Sequence, residues 1–301
     1  MTLTASLSHA LEFLSPIVES WEFNKIPLTL SVSGPQGSGK TWLSSHLTDQ
    51  LSLKYPHLKT ITISTDDFYE RRSHQLKLNK NSDNVLLHGR GLPGTHDVDL
   101  LYNILQRLIN QDTNFKIPVY DKSLFGGEGD RADQSLWTQI GDKPVDIIIV
   151  EGWFNGFIPL SNDDEIDAMI DSSDYLKLYK KDDLYEINHL LDEYLKIWEL
   201  FDYGITIDVP DLKWIEQWRI EQEHALIASK HEGMTDDQVS KFIKRYLTVY
   251  ELYYAHFVQV GIPNHRKIKN IKLKGIMRNL KLTLDQERNV TEVKAYKCSD
   301  D

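Results

Sequence analysis

Apolar residues recur along the chain with two different periods. Short continuous runs rich in β-branched and aliphatic residues occupy 28–34 (LTLSVSG), 60–64 (TITIS), 146–153 (DIIIVEGW) and 203–209 (YGITIDV). Each is too short for a helix and reads as a buried strand. Between them, Leu43, Leu47 and Leu51 recur every four residues, and VDLLYNILQRLIN from Val98 and DLYEINHLLDEYLKIWELF from Asp183 keep a helical period. Leu11, Leu14, Ile17 and Val18 mark a further helix over about 5–20. Strands alternating with helices predict the α/β class, in three layers, with a central, mainly parallel sheet covered on both faces.

The remaining stretches are less periodic. Residues 70–97 are polar with glycines at 89, 91 and 94, and read as a long functional loop. SNDDEIDAMIDSSD, within 160–200, reads as an acidic insertion or loop ahead of its helix. After the fourth strand two helices follow, separated by GMTDDQVSKF, where Thr235 and Gln238 form a capping box that starts the second. Val239, Phe242, Ile243, Tyr246, Leu247 and Tyr250 give that helix one apolar face, which reads as core packing. Residues 263–281 carry seven Lys or Arg and no Asp or Glu; they read as a solvated edge strand and turn, with a basic partner surface as the alternative.

Composition narrows the function classes. Of 301 residues, 41% are hydrophobic and 26% charged, as in an ordinary globular chain, and no apolar run reaches membrane-spanning length. The excess of 45 acidic over 34 basic residues, a net charge of −11, argues against a nucleic-acid partner. Any anionic ligand must therefore be held by local charge and backbone dipoles. The single cysteine, Cys298, permits no internal disulfide or cysteine metal site. No Lys or Arg precedes Lys25, so neither a secretory nor a transit signal is legible, and the expected compartment is the cytoplasm, with the nucleus open as well. Oligomeric state is not legible.

One motif supplies the local charge. GPQGSGKT, residues 34–41, fits the phosphate-loop pattern between a predicted strand and a predicted helix. A chance match in a chain this long is roughly one in a hundred, so a linker that happens to fit is a poor alternative. Gly34, Gly37 and Gly39 allow the N–H groups around Ser38 to point into one concavity. The following helix adds the positive end of its dipole. Lys40 puts a charge on the β- and γ-phosphates and Thr41 a hydroxyl on Mg²⁺, so ATP and Mg²⁺ are the expected ligands. Guanine reading is unsupported: NKNSD at 79–83 has the wrong spacing, and no D-x-x-G follows the strand at 146–150. Two acids stand at strand ends, Asp66 and Glu151, where ligands of parallel sheets bind. Either could orient a phosphoryl acceptor or hold Mg²⁺, and Asp67 is a rival base.

The ordered set GPQGSGKT, TDDFY, GLPGTHD, PVYDKS, GDRAD, EGWFNGF and QWRIEQEHAL…GMTDDQVSKFIKRYL, from about 28 to 290, resembles the D-glycerate 3-kinases of plants and their bacterial and fungal relatives. More distantly it is similar to uridine kinase, pantothenate kinase and phosphoribulokinase. The resemblance implies a single P-loop kinase domain with five parallel strands. It implies that Asp66 acts as base or Mg²⁺ ligand, that Glu151 holds the metal directly or through water, and that helices over about 211–260 form a lid carrying Arg219 to the transferring phosphate. On the residues alone Arg219 could equally pair with Glu223 at i+4. The acceptor, a small polar metabolite with D-glycerate as the named candidate, would lie among Tyr69, Arg90, His96, Asp97, Tyr120, Asp121, Lys122 and Arg131. A carboxylate acceptor would favour a bidentate arginine, Arg131 or Arg90. A nucleoside or pantothenate-type kinase is the alternative within this class. A non-catalytic ATP-binding regulator with 263–281 as its partner surface is the alternative outside it.

Overall fold

The computed structural model describes residues 3–230, 235–262 and 277–297. Its centre is a six-stranded sheet. The strands in chain order are β1 (Leu28–Ser33), β2 (Thr60–Ser64), the short β3 (Phe115–Ile117), β4 (Tyr120–Asp121), β5 (Asp130–Arg131) and β6 (Thr138–Ile140), then β7 (Ile147–Gly152), β8 (Tyr203–Asp208), β9 (Asn279–Leu284) and β10 (Val290–Tyr296). The large sheet runs β10-β9-β8-β1-β7-β2. Its five strands from β9 to β2 are parallel, the number the resemblance implied, and β10 adds an antiparallel edge. Two small antiparallel pairs, β3 with β6 and β4 with β5, lie outside it.

The helices are α1 (Ala5–Ser20), α2 (Lys40–Lys54), α3 (Arg72–Asn81), α4 (Val98–Ile109), α5 (Asp163–Ser172), α6 (Lys181–Leu191), α7 (Leu195–Trp198), α8 (Lys213–Lys230) and α9 (Asp236–Val260). Strand alternation divides them between the faces. Ile147 and Ile149 of β7 join Leu28, Leu30 and Val32 of β1 under α1 and α2, whereas Ile148 and Val150 face a larger core under α4 to α7 and α9. Removing each of these aliphatic side chains from water contributes about 1.5–3 kcal/mol. Among the described residues no helix is long and apolar enough to cross a membrane.

Three sequence expectations are corrected. The segment 70–97 is not one loop, because it contains α3; that helix buries only Gln75, so no apolar stripe announced it. The acidic stretch after 160 is α5, with Asn162 accepting from the Glu165 amide and Asp163, Asp164 and Glu165 in the first turn, where the helix dipole favours acids. Ile166, Ile187 and Trp198 are fully buried, so 160–200 is part of the main core. Within 263–281, residues 279–281 belong to β9, an inner strand rather than an edge; the edge is β10. Lys281 lies 3.6 Å from Asp208 and 3.9 Å from Glu292. Residues 263–276 and Cys298 fall outside the described residues.

The Thr235–Gln238 capping box forms as expected. Val239, Ile243, Tyr246, Leu247 and Tyr250 are buried, while Phe242 is partly so.

Candidate active site

The phosphate loop leaves β1 at Gly34 and enters α2 at Lys40. Parallel pairing fixes what lies beside it. Glu151 of β7 is in register with Val32 of β1 on one side and Ser64 of β2 on the other. Asp66 follows in a single 3₁₀ turn, Thr65–Phe68. Both acids therefore stand at the same edge of the sheet as the loop, as the strand-end argument required.

The loop is shaped to receive an anion. Gly37 and Gly39 adopt φ of +80° and +90°, which side-chain-bearing residues rarely enter. A Cβ on Gly37 would meet the Trp218 Cβ at 2.6 Å, whereas one on Gly39 would meet nothing within 4 Å, so the mouth is open above Gly39. Ser38 donates its hydroxyl to the Pro35 carbonyl at 2.8 Å. Tyr250 of α9 donates to the Gln36 side chain at 2.6 Å, so the apolar stripe is core, as read, and also steadies the loop.

Charges converge on Asp66. Its Oδ2 lies 2.5 Å from Lys122 Nζ, and its Oδ1 accepts from the Tyr69 hydroxyl at 2.9 Å. Burial pushes this carboxyl upward, but Lys122 and then Lys40 outweigh it and hold it down at about 2. Asp67 next to it goes the other way, to about 6, because burial and the Asp66 charge exceed the hydrogen bond from the Tyr120 amide at 3.0 Å. Glu151 is buried and its Oε2 has no hydrogen-bond partner, although its charge is felt by Lys122 and Asp67. Among the described residues no three His, Cys, Asp or Glu side chains form a metal cluster. Mg²⁺ does not need one, since it keeps several waters and takes one or two carboxylates plus phosphate oxygens. An orphaned buried carboxylate oxygen beside a phosphate loop fits that requirement.

The GLPGTHD segment reaches Asp66 through Tyr69, whose ring its His96 stacks on. The Tyr194 hydroxyl accepts from the Gly94 amide at 3.1 Å and shares a hydrogen bond with His96 Nδ1 at 2.9 Å. The other ring nitrogen, Nε2, is buried with no hydrogen-bond partner. Burial lowers this imidazole to about 4, so it is neutral at pH 7. Its ring stacks on Tyr69 at 4.4 Å. Tyr194 was invisible as a site residue, lying 98 positions away in a helical run that reads as core.

Several expected acceptor ligands turn out to be committed to the scaffold. Arg131 donates through Nη2 to the Tyr69 carbonyl at 3.2 Å and to Asp97 at 3.0 Å, and its buried Nε has no hydrogen-bond partner. Asp97 also caps α4 by accepting from the Leu100 amide. Arg90 binds the carbonyls of Gly127 and Glu128 and lies over the Tyr120 ring. Asp121 accepts from the Ser123 amide and hydroxyl. Each of these arginines spends one Nη on the scaffold. Arg219 is paired with Glu223 at 2.7 Å, the second of its two sequence readings. The base of α8 is anchored, with Ile215 and Trp218 fully buried.

Comparison with known proteins places this geometry among kinases. The chain is 38% identical over 302 residues to a Saccharomyces cerevisiae protein named "Probable ATP-dependent kinase TDA10", covering 96% of each. It superposes on the structure of D-glycerate 3-kinase from Cryptococcus neoformans with a TM-score of 0.79 and 34% identity, covering 97% of this chain and 98% of that one. The chloroplastic D-glycerate 3-kinase of Arabidopsis thaliana is 34% identical over 87% of this chain and 54% of its own length. No protein-family profile matches the chain.

Proposed function

The chain belongs to the P-loop kinase family that includes these D-glycerate 3-kinases, and on that premise we propose that it moves the γ-phosphoryl group of ATP to a hydroxyl of a small hydroxy acid, D-glycerate being the first candidate. The observation that carries this reading is the convergence of one phosphate loop and two strand-end acids at a single edge of the sheet. A protein that only binds nucleotide needs the loop but neither acid.

The roles follow from position and charge. Loop amides and Lys40 take the β- and γ-phosphates. Thr41 and Glu151, with Asp66 in reach of the same edge, are the side chains that would hold Mg²⁺, which when bound neutralises phosphate charge as a Lewis acid. Asp66 accepts the hydrogen bond of the attacking hydroxyl and so aims it. A carboxyl near 2 is a weak base, yet phosphoryl transfer passes through a loose transition state in which little proton removal is needed early. Lys122 stands beside Asp66 as the cation for the acceptor's remaining oxygens, and His96, stacked on Tyr69, adds a neutral imidazole with an unpartnered Nε2. Such a pair suits a carboxylate or a second hydroxyl.

A panel of D-glycerate, glycerol, uridine and pantothenate tests this directly. Acceptor-dependent ADP release is expected with D-glycerate and not with glycerol, which lacks the carboxylate. Release with uridine or pantothenate alone would move the chain to the nucleoside or pantothenate type.

Glu151→Gln is expected to raise the Mg²⁺ concentration for half-maximal turnover by about 10–100-fold, because a charged ligand becomes neutral at unchanged size. A Mg²⁺ titration identical to that of the parent enzyme would remove Glu151 from the metal site.

Asp67→Asn separates the two neighbouring acids. Between about pH 4 and 6 folded Asp67 keeps a proton that the unfolded chain has released, so this group makes stability fall as pH rises through that window. Asn keeps the carbonyl that accepts from Tyr120 and removes the titration. The variant's stability gain over its parent should be near zero at pH 4 and level off above pH 6, on the order of 2 kcal/mol. Turnover should persist. Lost turnover without that gain would make Asp67 the base.

A further inference from the structure

We propose that Arg288, in the turn joining β9 to β10, is a positioning residue that sets the phosphate loop for the β- and γ-phosphates and ties it to α8. The inference rests on the reading that the loop holds ATP. It concerns a residue outside the phosphate-loop motif, 251 positions from the loop glycine it binds.

Arg288 Nε donates to the Gly37 carbonyl at 2.8 Å, its Nη2 lies 3.1 Å from Glu221 Oε2, and its guanidinium sits 4.7 Å from the Trp218 ring. Trp218 in turn packs its Cβ against the Gly37 α-carbon and donates its indole N–H to the Gln286 carbonyl at 2.8 Å. Gln286 reaches back to Gln217 at 2.6 Å. The turn therefore grips α8 at residues 217, 218 and 221, and the loop at Gly37.

The consequence follows from peptide planarity. No peptide bond among the described residues is cis, so the carbonyl of Gly37 and the N–H of Ser38 point in opposite directions. Holding the carbonyl toward Arg288 fixes the N–H on the other side, where it donates to the Pro35 carbonyl at 3.3 Å and closes the turn of the loop. A loop with glycines at 34, 37 and 39 has wide backbone freedom, and a ligand that must order it binds less tightly. The clasp removes part of that freedom before the nucleotide arrives. It also gives Arg219, one residue beyond Trp218, a fixed register to the loop.

The backbone of Arg288 lies at φ +66°, a left-handed conformation that glycine enters freely. Arg288→Gly therefore deletes the clasp without straining the turn, and Arg288→Lys keeps the charge without the fork. Calorimetric titration of ATP and AMP into parent and variants, with thermal melting, tests the idea. Arg288→Gly should melt no lower than the parent. It should bind ATP about tenfold more weakly, because the nucleotide must then order the loop itself, and bind AMP unchanged, since AMP carries no β- or γ-phosphate. Arg288→Lys should fall between, and the acceptor KM should not move. An ATP affinity within twofold of the parent, an equal weakening of ATP and AMP, or a fall in melting temperature of Arg288→Gly would overturn the assignment. A parent enzyme that binds no ATP would instead overturn the kinase reading, and this inference with it.

Discussion

Asp66→Asn is expected to lower kcat by about a thousandfold, within the usual range for a positioned acid–base group, while ATP binds with parental affinity. Asparagine fills the same volume and still accepts from the Tyr69 hydroxyl, so the 3₁₀ turn has no reason to change. What it loses is the charge. Lys122, now 2.5 Å from the carboxylate, would face a neutral amide, and the attacking hydroxyl would have no anion to aim at. Rapid-quench single turnover combined with calorimetric ATP binding separates the two effects. Parental turnover in Asp66→Asn would place the hydroxyl-orienting acid elsewhere, with Asp67 the next to examine.

Lys40→Ala should weaken ATP binding and reduce kcat/KM by about a hundredfold or more, the scale of removing one preorganised charge from a transition state. The surroundings make the loss severe. Asp66, Asp67 and Glu151 act on one another here, and the chain as a whole carries −11. At neutral pH the charges that lower Asp66 are Lys122 and Lys40, and Lys122 is engaged with Asp66 itself. Without Lys40 a triphosphate would meet an acidic edge opposed mainly by backbone amides and the α2 dipole. Steady-state kinetics over a range of ATP concentrations, with equilibrium ATP binding, measures this. Unchanged affinity would mean that the triphosphate lies elsewhere.

What could be seen in the sequence was whatever has a short-range signature. β1, β2, β7 and β8 are continuous apolar runs, and α4 and α9 carry apolar stripes, so each was placed to within a residue or two. The phosphate loop was legible because its function depends on backbone freedom, which only glycine in a fixed order supplies. α3 was missed because it lies on the surface with almost nothing buried, and α5 because its opening acids look like a loop until they are recognised as a dipole-stabilised first turn. β9 is short and follows a run of Lys and Arg that reads as solvated, and the edge strand β10 is mostly exposed, so neither carries a continuous apolar signature.

The site divides in the same way. Asp66 and Glu151 could be placed because strand ends of a parallel sheet share an edge. The commitments of Arg131, Arg90 and Asp97 could not, since each depends on partners brought from another segment. The histidine's hydrogen bond needed Tyr194, and the loop clasp needed Arg288; both are long-range pairings with no local pattern.

The account stands most directly on transfer of label from γ-labelled ATP to an added hydroxy acid, followed in the presence of Mg²⁺. It predicts a labelled phosphomonoester of D-glycerate, formed in step with ADP and absent in Asp66→Asn. Bound ATP with no labelled acceptor from any hydroxy acid, sugar or nucleoside would contradict it.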